Sequence, residues 1–419
     1  MKTSWAEVRQ AAFMPLGATA YVVASDAPIA ARKAATLLKA EMGNLVQLCD
    51  GVADNVEIQA AIDALPSTGG RIALSDGQFN IAATINVNDH YITIEGQGPE
   101  ATILKLANAV NAIILDFRTG AGGIVHKCNL FDLTLNGNSA NNATAPSLLR
   151  VGVQKGQFAN LYIYDAGLKG IEVANPTGSS IGNYFHNLWL YSVAGTATRG
   201  LDVTSGVVDN MFDHIIVERF PWGVYLTTVA NCIFDNLFCD FNTRAFSADD
   251  SNRIILVNSF FTNHTDRGVS VIATGANSED WIIANCGFSS ATAAAYHMVL
   301  DALATRTINN VVVAGNTMSG AVTSGILLGS GAGAGTGNDV LITNNRIDDA
   351  TYGTTLNANG GNCTVAYNNM RGCANPHRTL VGSGHIVRAN QGFVTENSGT
   401  ATVTAAATTV VVAHGLAAA

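Results

Sequence analysis

The chain has 419 residues, a formal charge of −9, only 13% charged residues, and 42 Gly against 8 Pro. A net negative chain offers a nucleic-acid backbone little to bind, so no nucleic-acid partner is expected; low charge with abundant apolar residues excludes disorder, and no run is suited to crossing a membrane. The seven cysteines, at 49, 128, 232, 239, 286, 363 and 373, form no Cys-x-x-Cys and no metal-ligand spacing. Buried free thiols are expected, with no metal site and no cofactor.

Residues 11–24 are apolar but interrupted by Pro15 and Gly17, a weak pattern for a secretory leader. Residues 26–42 are Ala/Lys-rich and predict a helix. A second helix is predicted over 54–65, DNVEIQAAIDAL, with Asp54 as N-cap and Glu57 at the third helical position, a capping box. Val56, Ile58, Ile62 and Leu65 supply its apolar face, and Pro66 with Gly69-Gly70 ends it. Strands are expected at 71–74, 79–81, 91–94 and 102–106. This region divides into an N-terminal segment, 1–49, and a helical cap with the first coils, 50–106. A helix laid over the first coil of a stack of strands covers an edge that would otherwise aggregate.

From residue 130 one pattern returns: apolar, any, Asn-like, apolar, any, apolar. It reads Leu130-x-Asp132-Leu133-x-Leu135, Phe158-x-Asn160-Leu161-x-Ile163 and Phe185-x-Asn187-Leu188-x-Leu190. It continues through anchors at His214, Asn236, Asn258, Asn285, Gly315, Asn344, Tyr367 and Ala389, at intervals of 22 to 30 residues and about 26 on average. A drifting period of that size means strands of fixed length joined by loops of variable length. A second mark, a basic or aromatic residue followed by Gly and apolar-x-apolar, recurs at Lys169, Arg199, Trp222 and Arg267, and a third short strand precedes each anchor. Three short strands per turn describe a right-handed parallel β-helix, an all-β solenoid, over 107–392. Residues 160, 187, 236, 258, 285 and 344 are read as an Asn ladder at a bend, because Asn tolerates left-handed backbone and its amide bonds its counterparts above and below. The stretch 329–337, GSGAGAGTG, reads as a long turn between coils. From 393 the pattern stops, and residues 393–419 read as the first strands of a further β domain, so either the natural chain is longer or several copies complete one another.

The opening DGVADNVEIQAAIDALPSTGGRIALSDGQFNIAATINV resembles that of the pectate-lyase-like superfamily of phage tailspikes and secreted polysaccharide enzymes. The matching positions are Asp50-Gly51, Asp54, Ile58 to Ile62, Gly69-Gly70, Leu74, Gly77 and Phe79, followed by Ile92 to Gly98. The family's usual Pro ahead of the Gly-x-aromatic turn is replaced by Asp76. The C-terminal ENSGTATVTAAATTVVVAHGLAA is similar to the junction between a tailspike β-helix and its C-terminal sandwich. The resemblance implies a homotrimer that recognises a cell-surface polysaccharide, located on a virion tail or outside the cell. The catalytic triplets of polygalacturonases and the Ca²⁺/Arg pattern of pectate lyases do not occur.

Columns of equivalent positions locate the candidate chemistry. Two residues past the anchor stand Tyr162, Trp189, Ile216, Phe238 and Phe260, an outward apolar stripe that calls for a second chain, a covering loop or a stacked sugar. Four residues past it stand Tyr164, Tyr191, Glu218, Asp240 and Thr262. Carboxylates on adjacent coils approach to about 5 Å, the separation of a retaining glycosidase pair. Glu218 and Asp240 are therefore the candidate catalytic acids, with Asp266 in reserve; Arg219, Arg244, Arg267 and His264 would orient a glycan, and Tyr164, Tyr191 and Trp222 would stack on it. The bland alternative is a salt-bridged surface in which Arg219 and Arg244 neutralise the acids. Glu172 and Asp202 form a competing outward pair. His186, His214 and His264 are read as separate columns or ladder substitutes. The expected function is that of a tailspike-like protein that recognises, and has the carboxylates to depolymerise, a polysaccharide. The rivals are a secreted glycan-degrading enzyme acting alone and a non-catalytic structural or adhesive β-helix.

Overall fold

The computed structural model describes residues 18–392 apart from 120–122, 176–177, 194–196, 205, 291, 294, 304, 330–334, 358–361 and 382–384. Residues 1–17 with the first part of the apolar run 11–24, most of the Gly-rich turn and the C-terminal segment 393–419 lie outside the described residues. The chain is a parallel β-helix of about 13 coils with roughly 27 residues each. It forms two compact units, one ending at Pro221 and the other beginning at Trp222.

In the first unit, strand Ala18–Val23 pairs in parallel with Val46–Leu48 and with Gly70–Leu74. Helix α1 covers Ile29–Met42 and buries only Ala35, so it lies at the periphery. Helix α2 covers Asn55–Asp63 and buries Ile58, Ala61 and Ile62. The expected capping box is absent. Asp54 makes no side-chain cap bond; its carboxylate is fully buried and accepts the backbone N–H of Gly51 at 2.8 Å and of Asn80 at 2.7 Å. A buried carboxylate that ties a loop to a coil outcompetes a cap at an exposed helix end. Val56, placed by periodicity on the apolar face, is exposed.

Strands Asn129–Asn136, Gln157–Tyr164, Tyr184–Tyr191 and Met211–Glu218 stack in unbroken parallel register. Leu133, Leu161, Leu188 and Ile215 make one interior column, and Leu135, Ile163, Leu190 and Val217 the next, all buried. Phe158, Phe185 and Phe212 stack as a further buried column with centroids 5.0 and 4.7 Å apart. A second ladder runs Ile85–Asn86, Leu115–Phe117, Leu149–Val151, Lys169–Val173 and Arg199–Val203.

In the second unit, the corresponding ladder runs Trp222–Thr227, Arg244–Asp249, Arg267–Ala273, Tyr296–Ala302, Ser324–Leu328, Tyr352–Asn357 and Asn375–Val381. Its interior is built from Phe234, Leu237, Leu256, Phe261, Ile283, Phe288, Val313 and Ile342. The seven cysteines are all free and buried.

Every anchor, from Asp132 to Ala389, adopts the left-handed region with φ between 51° and 69°. Most residues pay about 1–2 kcal/mol there, and Asn, Asp, Gly and His pay less, which explains the composition of the column. In the first unit the exposed ladder forms as read: Asn160 donates to Asp132 at 2.9 Å and Asn187 to Asn160 at 2.8 Å. A second, interior ladder was not read from the sequence. One residue past the anchor, Asn316, Asn345, Asn368 and Asn390 are buried, and each amide oxygen from Asn345 onward accepts both the backbone and side-chain N–H of the preceding Asn. Among the described residues no helix is long and apolar enough to cross a membrane.

Candidate functional site

Parallel register in the first unit sets Tyr162, Trp189 and Ile216 in one column on successive coils, and Tyr164, Tyr191 and Glu218 in another. Because side chains alternate along a strand, both columns emerge on the outer face. The rings pack on one another: Tyr162 and Trp189 are stacked at 4.8 Å, Tyr164 and Tyr191 at 6.1 Å, and Tyr162 and Tyr164 meet at 5.4 Å. Trp189 nevertheless remains 42% exposed. Its indole N–H donates to Glu218 Oε2 at 2.7 Å, which fixes the ring plane. The guanidinium of Arg219 lies 5.6 Å from the Tyr191 centroid, within range of a cation–π contact. Burial, then the charges of Tyr164 and Glu100, pushes the Tyr162 phenol up to about 12, so it stays protonated at neutral pH. The result is an exposed, mutually braced aromatic face with one carboxylate and one guanidinium at its edge.

The second unit holds the other expected residues. Asp240 Oδ1 accepts from Thr262 Oγ1 at 2.7 Å, Asn263 Nδ2 at 2.8 Å and the Phe241 N–H at 3.0 Å. Trp222, Arg244 and Arg267 stand in one register column, with the Arg244 guanidinium 5.8 Å from the Trp222 centroid. Asp266 belongs beside that column: Arg244 Nε reaches it at 2.6 Å and Arg267 Nε at 3.6 Å. Arg244 thus neutralises Asp266. His264 is fully buried, its Nε2 lies 3.2 Å from His297 Nδ1, and burial lowers its pKa to about 4. It has no surface to offer a glycan, which removes it from the expected binding set. Glu218 and Asp240 each lie in their own unit, and each carries structural hydrogen bonds.

The competing pair also changes character. Glu172 and Asp202 are in register as expected, but Asp202 is fully buried. Lys169 bridges them at 2.8 and 2.6 Å, Arg150 binds Glu172 at 2.6 Å, and Arg199 binds Asp202 at 2.8 Å. Burial alone would raise the Glu172 pKa; Lys169 and Arg150 hold it below the usual range. Carboxylates saturated by cations in this way serve cohesion, not catalysis.

The fold assembles one group that the sequence reading kept apart. His186 and Asp213 are register partners on adjacent coils, and His214 follows Asp213 at the anchor. His186 Nδ1 lies 3.0 Å from Asp213 Oδ2, and His214 Nδ1 lies 2.7 Å from Asp213 Oδ1. The Tyr184 hydroxyl lies 3.1 Å from Asp213 Oδ2 and 3.2 Å from His186 Nδ1. Burial would raise the Asp213 pKa; hydrogen bonds from His214, Tyr184 and His186 bring it below its ordinary value.

No protein-family description and no curated protein matches the sequence. Several solved structures share the fold. The Azotobacter vinelandii mannuronan C-5 epimerase A-module is 17% identical, with a TM-score of 0.59 over 81% of this chain and 97% of that one. The tailspike protein of E. coli bacteriophage HK620, solved with a pentasaccharide, is 15% identical, with a TM-score of 0.51 over 83% of this chain and 63% of that one. The catalytic domain of a GH87 alpha-1,3-glucanase, solved with tetrasaccharides, is 13% identical, with a TM-score of 0.50 over 82% of this chain and 68% of that one. At such identities the likeness establishes the parallel β-helix fold and nothing finer.

Proposed function

We propose that this chain is a polysaccharide-recognising β-helix of the tailspike kind, and that its glycan lies across Tyr162, Tyr164, Trp189 and Tyr191. The observation that carries the reading is the Trp189 ring, exposed yet held by Glu218 and Tyr162. Aromatic faces stack on the C–H face of a sugar ring, and a ring fixed before binding loses little freedom on binding. Arg219 at the edge supplies donors to hydroxyl or carboxylate groups of the glycan. Structural neighbours solved with a pentasaccharide and with tetrasaccharides support the same class of partner. A virion or extracellular location and a homotrimeric state follow the tailspike reading.

Cleavage is the further part of the proposal. Glu218 is the candidate catalytic acid of the first unit, and Asp240 that of the second, where Trp222, Arg244 and Arg267 are the candidate glycan contacts. Asp266, paired with Arg244, is the weaker candidate. One observation favours the non-catalytic, adhesive reading: hydrogen bonds already occupy an oxygen of each acid. Binding and reducing-end release are to be measured on purified protein against a polysaccharide panel. Trp189→Ala should weaken binding about tenfold, the equivalent of one stacking contact. Glu218→Gln and Asp240→Asn should each slow release on the order of 10²-fold or more. Unchanged binding in Trp189→Ala overturns the proposed glycan face; release at the wild-type rate in both acid variants overturns the catalytic assignment.

A further inference from the structure

We propose that Tyr184, His186, Asp213 and His214 form a binding site for a divalent transition-metal ion of the zinc type, independent of the aromatic face. Three features carry the inference. First, the ligand atoms converge. One ligand atom from each of His186, Asp213 and His214 lies within 4.8 Å of the others. The Tyr184 hydroxyl closes a fourth side, 3.1 Å from Asp213 Oδ2 and 3.2 Å from His186 Nδ1. Ligands about 2.0–2.1 Å from a tetrahedral ion are separated from one another by about 3.4 Å. The separations among Tyr184 Oη, His186 Nδ1 and Asp213 Oδ2 need to open by a few tenths of an ångström, while His214 Nδ1 faces the other oxygen of Asp213 at 2.7 Å and must turn to share the ion.

Second, the donor set is selective. Two imidazoles and one carboxylate suit zinc, copper, nickel or cobalt; calcium and magnesium take oxygen ligands and leave imidazole aside. Third, the site is accessible and pre-positioned. His186 is half-buried and His214 is exposed, so an ion enters from solvent without unfolding a coil. The His214 backbone is fixed in the left-handed region at φ 51°, which sets the direction of its ring, and Tyr184 stacks on His186 at 5.4 Å. Without an ion, both rings donate Nδ1–H to Asp213, and the cluster is satisfied as a hydrogen-bonded group. Metal binding replaces these two hydrogen bonds by three or four coordinate bonds, with each imidazole proton moved to Nε2.

The fold itself supplies variants that keep the coil intact. Ala159 stands in register with His186 one coil earlier, and Asn187 holds the anchor position equivalent to His214. His186→Ala and His214→Asn therefore place at each position a residue that the same column already tolerates. The full chain, freed of metal with EDTA, is titrated with Zn²⁺ and separately with Ca²⁺ by isothermal calorimetry near neutral pH. The wild type should bind one equivalent of Zn²⁺ that His186→Ala, His214→Asn and Asp213→Asn each weaken about tenfold or more, with circular dichroism unchanged, and should show no comparable Ca²⁺ binding. The other histidines are present in all variants, so the lost equivalent identifies this cluster. Zn²⁺ binding equal in wild type and variants, absent from the wild type, or matched by Ca²⁺ overturns the assignment. None of these readouts involves a glycan, so failure of the polysaccharide reading leaves the test intact.

Discussion

His264 and His297 meet inside the second unit as a fully buried pair. Burial lowers the pKa of His264 to about 4; burial and then the charge of His264 lower that of His297 to about 3. In the unfolded chain both titrate near 6.5. Between that value and the folded values, the unfolded chain takes up protons that the folded one refuses. Stability is therefore full above about pH 6.5, falls as pH drops through the window, and levels only once the folded histidines protonate. For His264 alone the loss is on the order of 3 kcal/mol. Urea or thermal unfolding from pH 7 to pH 4 should show this decline, and His297→Gln should flatten it; a flat wild-type profile contradicts the account. The sequence placed His264 among polar neighbours because Asp266 and Arg267 follow it. What decides its direction is the left-handed Asn263 at φ 49°, which bends the chain just before it. Asn263 is a residue type that tolerates such a bend, but it stands outside the anchor column, so the repeat does not mark it. Glu218 and Trp189 were legible as neighbours in adjacent columns, because fixed offsets from an anchor survive variable loops. Their mutual hydrogen bond was not legible, because it depends on rotamers.

At the scale of the coil, two Asn ladders do different work. Asn187 is exposed, and its amide bonds Asn160 in water. Asn345 is buried, takes two N–H groups from Asn316, and donates to Val313 and to Asn368. Removing an interior link strands polar groups on both sides, at about 1–3 kcal/mol each. Asn345→Ala should thus cost on the order of 3 kcal/mol or more in equilibrium unfolding, and Asn187→Ala about 1–2, mostly from its left-handed backbone. Equal costs would remove the distinction. The coil itself was readable: alternation gave the strands, the anchor gave the bend, and the +1 and +3 offsets gave the two interior columns of the first unit. The interior ladder escaped because Asn316, Asn345, Asn368 and Asn390 occupy the +1 position held by Leu133, Leu161 and Leu188 earlier in the chain. An Asn in an apolar column looks like a surface residue until its neighbours above and below are also Asn. The capping box failed for a related reason, since Asp54 bonds to Asn80, a partner far along the chain that no local motif reveals.

For the molecule as a whole, assembly turns on which apolar surface is left to be covered. The stripe read from the sequence begins with Tyr162 and Trp189, and these are engaged with Tyr164, Tyr191 and Glu218 in a mixed polar and aromatic face suited to sugar. A different column is aliphatic over five successive coils. Three residues ahead of the anchor, Ile233, Ile255, Ile282, Val312 and Leu341 follow one another in register along the second unit. Ile233, Ile282 and Leu341 are each more than one-third exposed. In the first unit the same offset carries Asn129, Gln157, Tyr184 and Met211, so the aliphatic character is confined to one unit rather than imposed by the fold. A column of aliphatic side chains repeating at about 4.8 Å is matched best by another column of the same spacing. A second copy of this chain has that spacing, and closed cyclic symmetry buries such a column on every copy at once. Light scattering on the purified chain should therefore show a stable homo-oligomer, a trimer on the tailspike reading, at micromolar concentration. Ile282→Arg combined with Leu341→Arg should yield a monomer with unchanged circular dichroism, because both side chains point outward and their removal leaves the interior columns whole. A wild-type monomer at that concentration rules out this interface, and an oligomer that survives both arginines places the contact elsewhere on the surface.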